Sequence, residues 1–105
     1  MQPIGKYVGI EDSMAVVNVK GSYRLEVTDQ VRSELDEAYR RGCTSVRFDM
    51  MGTDYIDSAV TKLIIRTMRR VGETKLEITN PKGRVFAALD VAAMNRFIKN
   101  GGRQA

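Results

Sequence analysis

Between Ser45 and Val71 the hydrophobic period changes once, from two to 3.6, and this change restricts the chain to a small set of folds. Val46, Phe48 and Met50 alternate with Arg47 and Asp49, as in a strand with one buried face over Ser45 to Met50. From Ser58, the apolar residues Val60, Leu63, Ile64, Met68 and Val71 recur at helical spacing, and Gly72 ends the run. Lys75 to Thr79 reads as a further strand, with Leu76 and Ile78 inward. A strand, an amphipathic helix and another strand in succession predict a crossover, hence a sheet that is parallel in part and covered by helices.

The flanking segments extend this pattern. Lys6 to Glu11 and Met14 to Gly21 read as two strands joined at Asp12-Ser13, and the second is rich in β-branched residues. Thr28 to Arg41 reads as a helix with Val31, Leu35, Ala38 and Tyr39 on its apolar side, Thr28 as cap and Gly42 as stop. Asn80 and Pro81 predict the start of another helix, with Val85, Phe86 and Leu89 on its apolar side. Met94, Phe97 and Ile98 form a short closing helix or turn, and residues 98–105 form a tail expected to fray. The expected architecture is α/β: one domain over residues 1–105, a mixed β-sheet with helices packed against it, in the order β-β-α-β-α-β-α-α.

Composition narrows the chemistry. With 105 residues, 43% hydrophobic and 29% charged, the chain can bury one core and is not expected to be disordered. The absence of histidine removes the commonest general base and the commonest metal ligand, so no catalytic residue, metal or cofactor is expected. The single cysteine, Cys43, excludes an internal disulfide, fits a reducing cytoplasm and reads as a small apolar side chain after a helix. There is no apolar run of membrane-spanning length and no secretory pattern, so a cytoplasmic chain without membrane insertion is expected. A net charge of +4 permits acidic partners.

The strongest candidate site is Asp57-Ser58, which follows the turn Met51-Gly52-Thr53-Asp54 and opens the second helix. This puts a hydroxyl at a helix N-terminus beside a capping carboxylate. Phosphorylation would add about −1.5 to −2 charges where unpaired amides tolerate them. The plainer reading is that Asp57 and Ser58 cap the helix. Lys62, Arg66, Arg69 and Arg70 make a basic stripe, read either as a solvated face or as a docking face for an acidic partner. Without Trp or a recognisable binding motif, no nucleic-acid partner is expected. Asp49, Asp54 and Asp57 are spaced to line one loop, but no clear phospho-accepting Asp with a matching Lys accompanies them. Gly83 near a helix start lacks the phosphate-loop pattern. Met50 and Met51 flank the loop, and one of them is a candidate partner contact.

These residues, in this order of elements, resemble the STAS domain of bacterial anti-sigma factor antagonists. Asp49 and Gly52 match the family's Asp-Leu-Ser-Gly-like turn, Tyr55-Ile56 its apolar pair, and Asp57-Ser58 its switch. Gly21, Asn80, Val85, Leu89, Met94 and Phe97 extend the similarity over about Val16 to Ile98. The resemblance implies a regulator that is not an enzyme. Its unphosphorylated form would bind an anti-sigma factor with serine-kinase activity, phosphorylation of Ser58 would release it, and a serine phosphatase would restore it. Asp57, Asp49 and Gly52 would support the loop. Ser22, Tyr23, Arg24, Asp54, Tyr55, Ala59 and Lys62 would contact the partner, and the chain would be a monomer or weak dimer. Ala59 and Val60 stand where many members have Ser and Gly, which puts a branched side chain near the helix start. The alternative is a non-phosphorylated STAS subunit of a transporter-associated or sensory complex.

Overall fold

The computed structural model describes residues 1–99. Its main sheet has six strands: β1 (Gln2–Pro3), β2 (Val8–Glu11), β3 (Met14–Asn18), β5 (Ser45–Asp49), β7 (Leu76–Thr79) and β8 (Ile98–Lys99), adjacent in that order. The pairs β1/β2 and β2/β3 are antiparallel, whereas β3, β5, β7 and β8 run parallel, so the sheet is mixed. Strands β4 (Gly21–Tyr23) and β6 (Thr53–Ile56) form a second, parallel pair. Three helices complete the fold: α1 (Leu25–Arg40), α2 (Ser58–Val71) and α3 (Gly83–Val91). No helix among the described residues is long and apolar enough to cross a membrane.

Register explains the core. Ala15, Val46 and Leu76 lie side by side across β3, β5 and β7, and Val17, Phe48 and Ile78 form the next row. Both rows are buried against Val31, Leu35 and Ala38 of α1, Val60, Leu63 and Ile64 of α2, and Val85 and Leu89 of α3. The alternate positions point away from the helices, where Arg47 is ion-paired with Glu77 and with Glu11. Cys43 is buried, and burial pushes its thiol above the usual range, as for an inert small apolar side chain.

The α/β class and the helix-covered mixed sheet match expectation, but the element order is longer, and each difference has a local cause. The first long strand starts at Val8 instead of Lys6 because the amides of Lys6, Tyr7 and Val8 all donate to the Glu34 carboxylate, at 2.9 Å each. The second ends at Asn18, and Gly21, at φ +85°, redirects the chain into β4. Helix α1 begins at Leu25. Thr28 is not its cap but lies in the first turn, donating its hydroxyl to the Leu25 carbonyl. Helix α3 begins at Gly83, not at Asn80-Pro81, because Asn80 adopts a left-handed conformation and turns its side chain to Asp49. Met94 and Phe97 are buried around a short 3-10 turn. The tail foreseen over residues 98–105 does not begin at Ile98, since Ile98 and Lys99 pair with β7; residues 100–105 lie outside the described residues.

Glu34 is the buried charge that no pattern revealed. Burial works against its ionisation, but hydrogen bonds from Gln30 and from the amides of Tyr7, Lys6 and Val8 outweigh it and hold the carboxyl below the ordinary glutamate range. Its contribution to stability is therefore present above the unfolded value of about pH 4.3 and is lost as pH falls through the lower folded value. Glu34→Ala strands three amides and should cost about 2–3 kcal/mol in chemical denaturation near neutral pH. The penalty should shrink progressively as the same titration is repeated at more acidic pH.

Candidate functional site

Strands β4 and β6 run parallel and each leads directly into a helix, β4 through Arg24 into α1 and β6 through Asp57 into α2. The two helix starts are thus neighbours, and one side chain serves both. Asp57 Oδ1 accepts from the Ala59 amide at 3.0 Å, capping α2. Its Oδ2 accepts from the Leu25 amide of α1 at 3.1 Å. The Asp57 amide in turn donates to the Tyr23 carbonyl at 3.3 Å. Arg24, at the N-cap of α1, makes no side-chain capping bond, so the carboxylate that serves this helix comes from the other junction.

Ser58 is the first residue of α2 and is exposed. Asp57, and not Ser58, supplies the cap, which leaves the serine hydroxyl outside the capping geometry. The first turn of α2 carries no acidic side chain. A phosphate on Ser58 would therefore meet the positive end of the helix, opposed locally by Asp57 alone among the residues of that junction.

The loop before β6 is held from below. Asp49 Oδ1 accepts from the Met51 amide and from Asn80 Nδ2, both at 3.0 Å. Asn18 Nδ2 donates to the carbonyls of Asp49 and Met51 at the same distance. Gly52 has φ +85°, a conformation costly for a side chain with Cβ, and its carbonyl accepts from the Gly21 amide at 2.9 Å. Thr53 donates its hydroxyl to the Val19 carbonyl. Asp49 and Gly52 thus shape the loop. Asn18 does so equally, yet its sequence signal is only one polar residue within Val17-Asn18-Val19.

The residues assigned to partner contact separate into groups. Ser22, Arg24, Asp54 and Lys62 are exposed, and Tyr55 and Ala59 are partly exposed. The Arg24 guanidinium lies 4.8 Å from the centre of the Tyr55 ring, and Arg84 lies 5.6 Å from it. Arg84 Nε also donates to the Asp54 carbonyl at 2.9 Å, which brings α3 to the site across 30 residues of sequence. Tyr23 does not belong to this surface: it is 1% exposed, and burial drives its phenol far above the usual tyrosine range. Period-two alternation in β4 turns Tyr23 inward and Ser22 outward. Val60 is likewise fully buried, so its branched side chain adds to the core and does not obstruct the surface at the helix start. Of the two methionines, Met50 is buried and Met51 is 48% exposed. Asp49, Asp54 and Asp57 do not converge, and among the described residues no three acidic or cysteine side chains form a metal-binding group.

Sequence reasoning missed the contribution of α3. A groove of about 390 Å³ runs between the start of α2 and α3, with Ser58, Asp57 and Thr61 on one wall and Ala87, Ala88 and Val91 on the other. Val91 is 89% exposed at its mouth. In the sequence, the available signal was Val91 as an apolar residue off the Val85/Leu89 spacing.

The family whose sequence model is described as "Mlab, STAS domain" matches residues 7–99. No curated protein matches the chain. Among solved structures, the chain is similar to the Bacillus cell fate determinant SpoIIAA in its phosphorylated form, with TM-score 0.73, 13% identity, and 91% of this chain and 90% of that one covered. It is also similar to the anti-sigma factor antagonist SpoIIAA in its unphosphorylated form, with TM-score 0.80, 15% identity, and coverage of 91% and 87%. A candidate anti-sigma factor antagonist of Thermotoga maritima gives TM-score 0.74, 14% identity, and coverage of 89% and 82%. At these identities the structural likeness speaks for the fold.

The shared cap gives a direct test. Asp57→Ala removes the acceptor for two amides and should lower stability by about 1–2 kcal/mol. Hydrogen exchange should accelerate at the Leu25 and Ala59 amides together. Acceleration at Ala59 alone would mean that the carboxylate caps only α2.

Proposed function

The chain belongs to the STAS domain family, and from that premise we propose that it is a partner-switching regulator of the anti-sigma factor antagonist kind, with Ser58 as phosphoacceptor. The unphosphorylated form binds an anti-sigma factor that is also a serine kinase, phosphorylation releases it, and a serine phosphatase resets it. The chain acts in the cytoplasm as a monomer or weak dimer and is not itself an enzyme; ATP belongs to the kinase. One observation carries this reading: Ser58 is exposed at the first position of α2 while its neighbour Asp57 does the capping. The hydroxyl is thus presented at a helix N-terminus without a structural duty there. The existence of SpoIIAA structures in both phosphorylated and unphosphorylated forms lends support from a protein of the same fold.

The charge argument gives the direction of the switch. The partner contacts we propose are Ser22, Arg24, Asp54, Tyr55, Ala59 and Lys62, with Met51 exposed in the loop before β6, and a partner seated over the helix start excludes water around the neutral hydroxyl. A dianionic phosphate would have to be desolvated against the partner and beside Asp57. The fold tolerates it because the start of α2 offers amides and the positive end of a dipole, worth roughly 0.3–1 kcal/mol.

A second reading, a STAS subunit of a transporter-associated or sensory assembly, is favoured by a different observation. Lys62, Arg66, Arg69 and Arg70 form no ion pair among the described residues, which suits a standing interface. Peptide mass analysis of protein isolated from its own cells separates the two. The switch requires a phosphatase-sensitive gain of about 80 Da on the Ser58 peptide, one phosphate; its absence under growth and stress alike selects the assembly. With the kinase in hand, Ser58→Asp should weaken the complex by at least about tenfold, or 1.4 kcal/mol. Ser58→Ala should bind as wild type and resist phosphorylation.

A further inference from the structure

We propose that the groove between α1 and α2 is a docking site for an acidic, amphipathic helix of a partner protein. Two adjoining cavities of about 150 and 240 Å³ share Arg32, Leu63 and Arg66 and form one channel. It runs from Leu25 and Ala59 at the helix starts to Tyr39 and Arg70 at the other end. At 1.5 Å per residue, the stretch of α2 from Ala59 to Arg70 spans about 16 Å, three helical turns of a partner laid alongside.

The lining defines the occupant. Leu25 is 56% exposed at the head of the groove and Tyr39 is partly exposed towards its other end, while Leu63 and Leu35 between them are buried and close the floor from the core. Lys62, Arg66 and Arg70 stand along the α2 side at i, i+4 and i+8, facing Arg32 of α1. Arg70 lies over Tyr39 at 4.3 Å, which fixes it at the groove. The carboxylates of the groove, Asp29 and Asp36, lie on the α1 side, and Asp29 is already paired with Arg32. Three cations of α2 thus face Arg32 and two carboxylates of α1, which leaves the groove with an excess of positive charge.

This arrangement is costly for the helix that carries it. Between Ser58 and Val71, α2 contains four basic residues and no acidic one. Like charges spaced one turn apart repel and destabilise a helix. Away from the groove, Arg40, Arg41, Arg47 and Arg96 each have a carboxylate partner, whereas Arg24 and Arg84 have none among the described residues and lie over Tyr55. An uncompensated row beside an apolar strip matches a helix with acidic residues flanking an apolar face, the helix-in-groove mode of recognition. A nucleic-acid backbone would use the charge but not exposed Leu25 or the apolar floor. The inference stands whether or not Ser58 is modified.

The test uses the full chain, ¹⁵N-labelled, titrated with a synthetic helical peptide of about 15 residues bearing leucines on one face and glutamates on both flanks. Amide shifts should cluster on α1 and α2 along the groove. Arg66→Glu should weaken binding at least about tenfold. Arg69→Glu, the same charge change off the groove lining, should weaken it by no more than about threefold. Arg66→Gln keeps the test readable if the charge reversal perturbs α2. The proposal is overturned by absence of binding, by equal loss in the Arg66 and Arg69 variants, or by undiminished binding of a peptide with its leucines replaced by serine. Single-stranded DNA competing at the same residues with equal affinity would also overturn it and identify a polyanion strip instead.

Discussion

Asp57 ties together two parts of the chain that are 32 residues apart. Its two carboxylate oxygens reach the first turns of both α1 and α2, and its amide closes the pair of short strands from which those helices emerge. The helices consequently start from one point, and their relative position is fixed by a charge-assisted contact instead of by packing alone. The exposed serine and the groove beyond it both inherit their geometry from this contact. Because Asp57 is the cap, Ser58 is left at the surface, and because α1 and α2 share an origin, a continuous channel runs between them.

A second layer of polar contacts supports this junction. Asp49 at the end of β5, Asn18 at the end of β3 and Asn80 after β7 meet beneath the loop, each from a neighbouring parallel strand. Their register is set by the apolar rows of the sheet, so core packing determines where the loop stands. Hydrophobic burial thereby reaches the candidate surface through three side chains at strand ends, a common place for sites in sheets with parallel strands.

The sequence made the long periodic elements legible. Helix α2 has the bounds read from its apolar stripe, and Leu76 and Ile78 are inward as their alternation required. It concealed what depends on distant partners. Strands β4 and β6 are three and four residues long and exist by pairing with each other, so each is too short for its alternation to be read from the sequence. Thr28 and Asn80 have good capping chemistry in the wrong places, because the α1 start is served from Asp57 and Asn80 is drawn to Asp49. At the site, the Asp57-Ser58 pair and the Asp49–Gly52 turn were readable, since their geometry is local. Arg84 and the α3 wall were not, because their proximity arises only once the chain has closed. Tyr23 was misread as a surface residue because a three-residue strand is too short for alternation to declare its buried side.

The ends of the main sheet carry a consequence for how this protein can assemble. Within the described residues both outer strands are two residues long, one bearing Pro3 and the other Lys99. Proline offers no amide to a neighbour, and a lysine on a short edge discourages close approach of a second strand. These two edges, as far as they are described, thus offer little template for strand addition, despite a core rich in β-branched residues. Among the described residues, that leaves the helical surfaces as the broader faces open to other molecules.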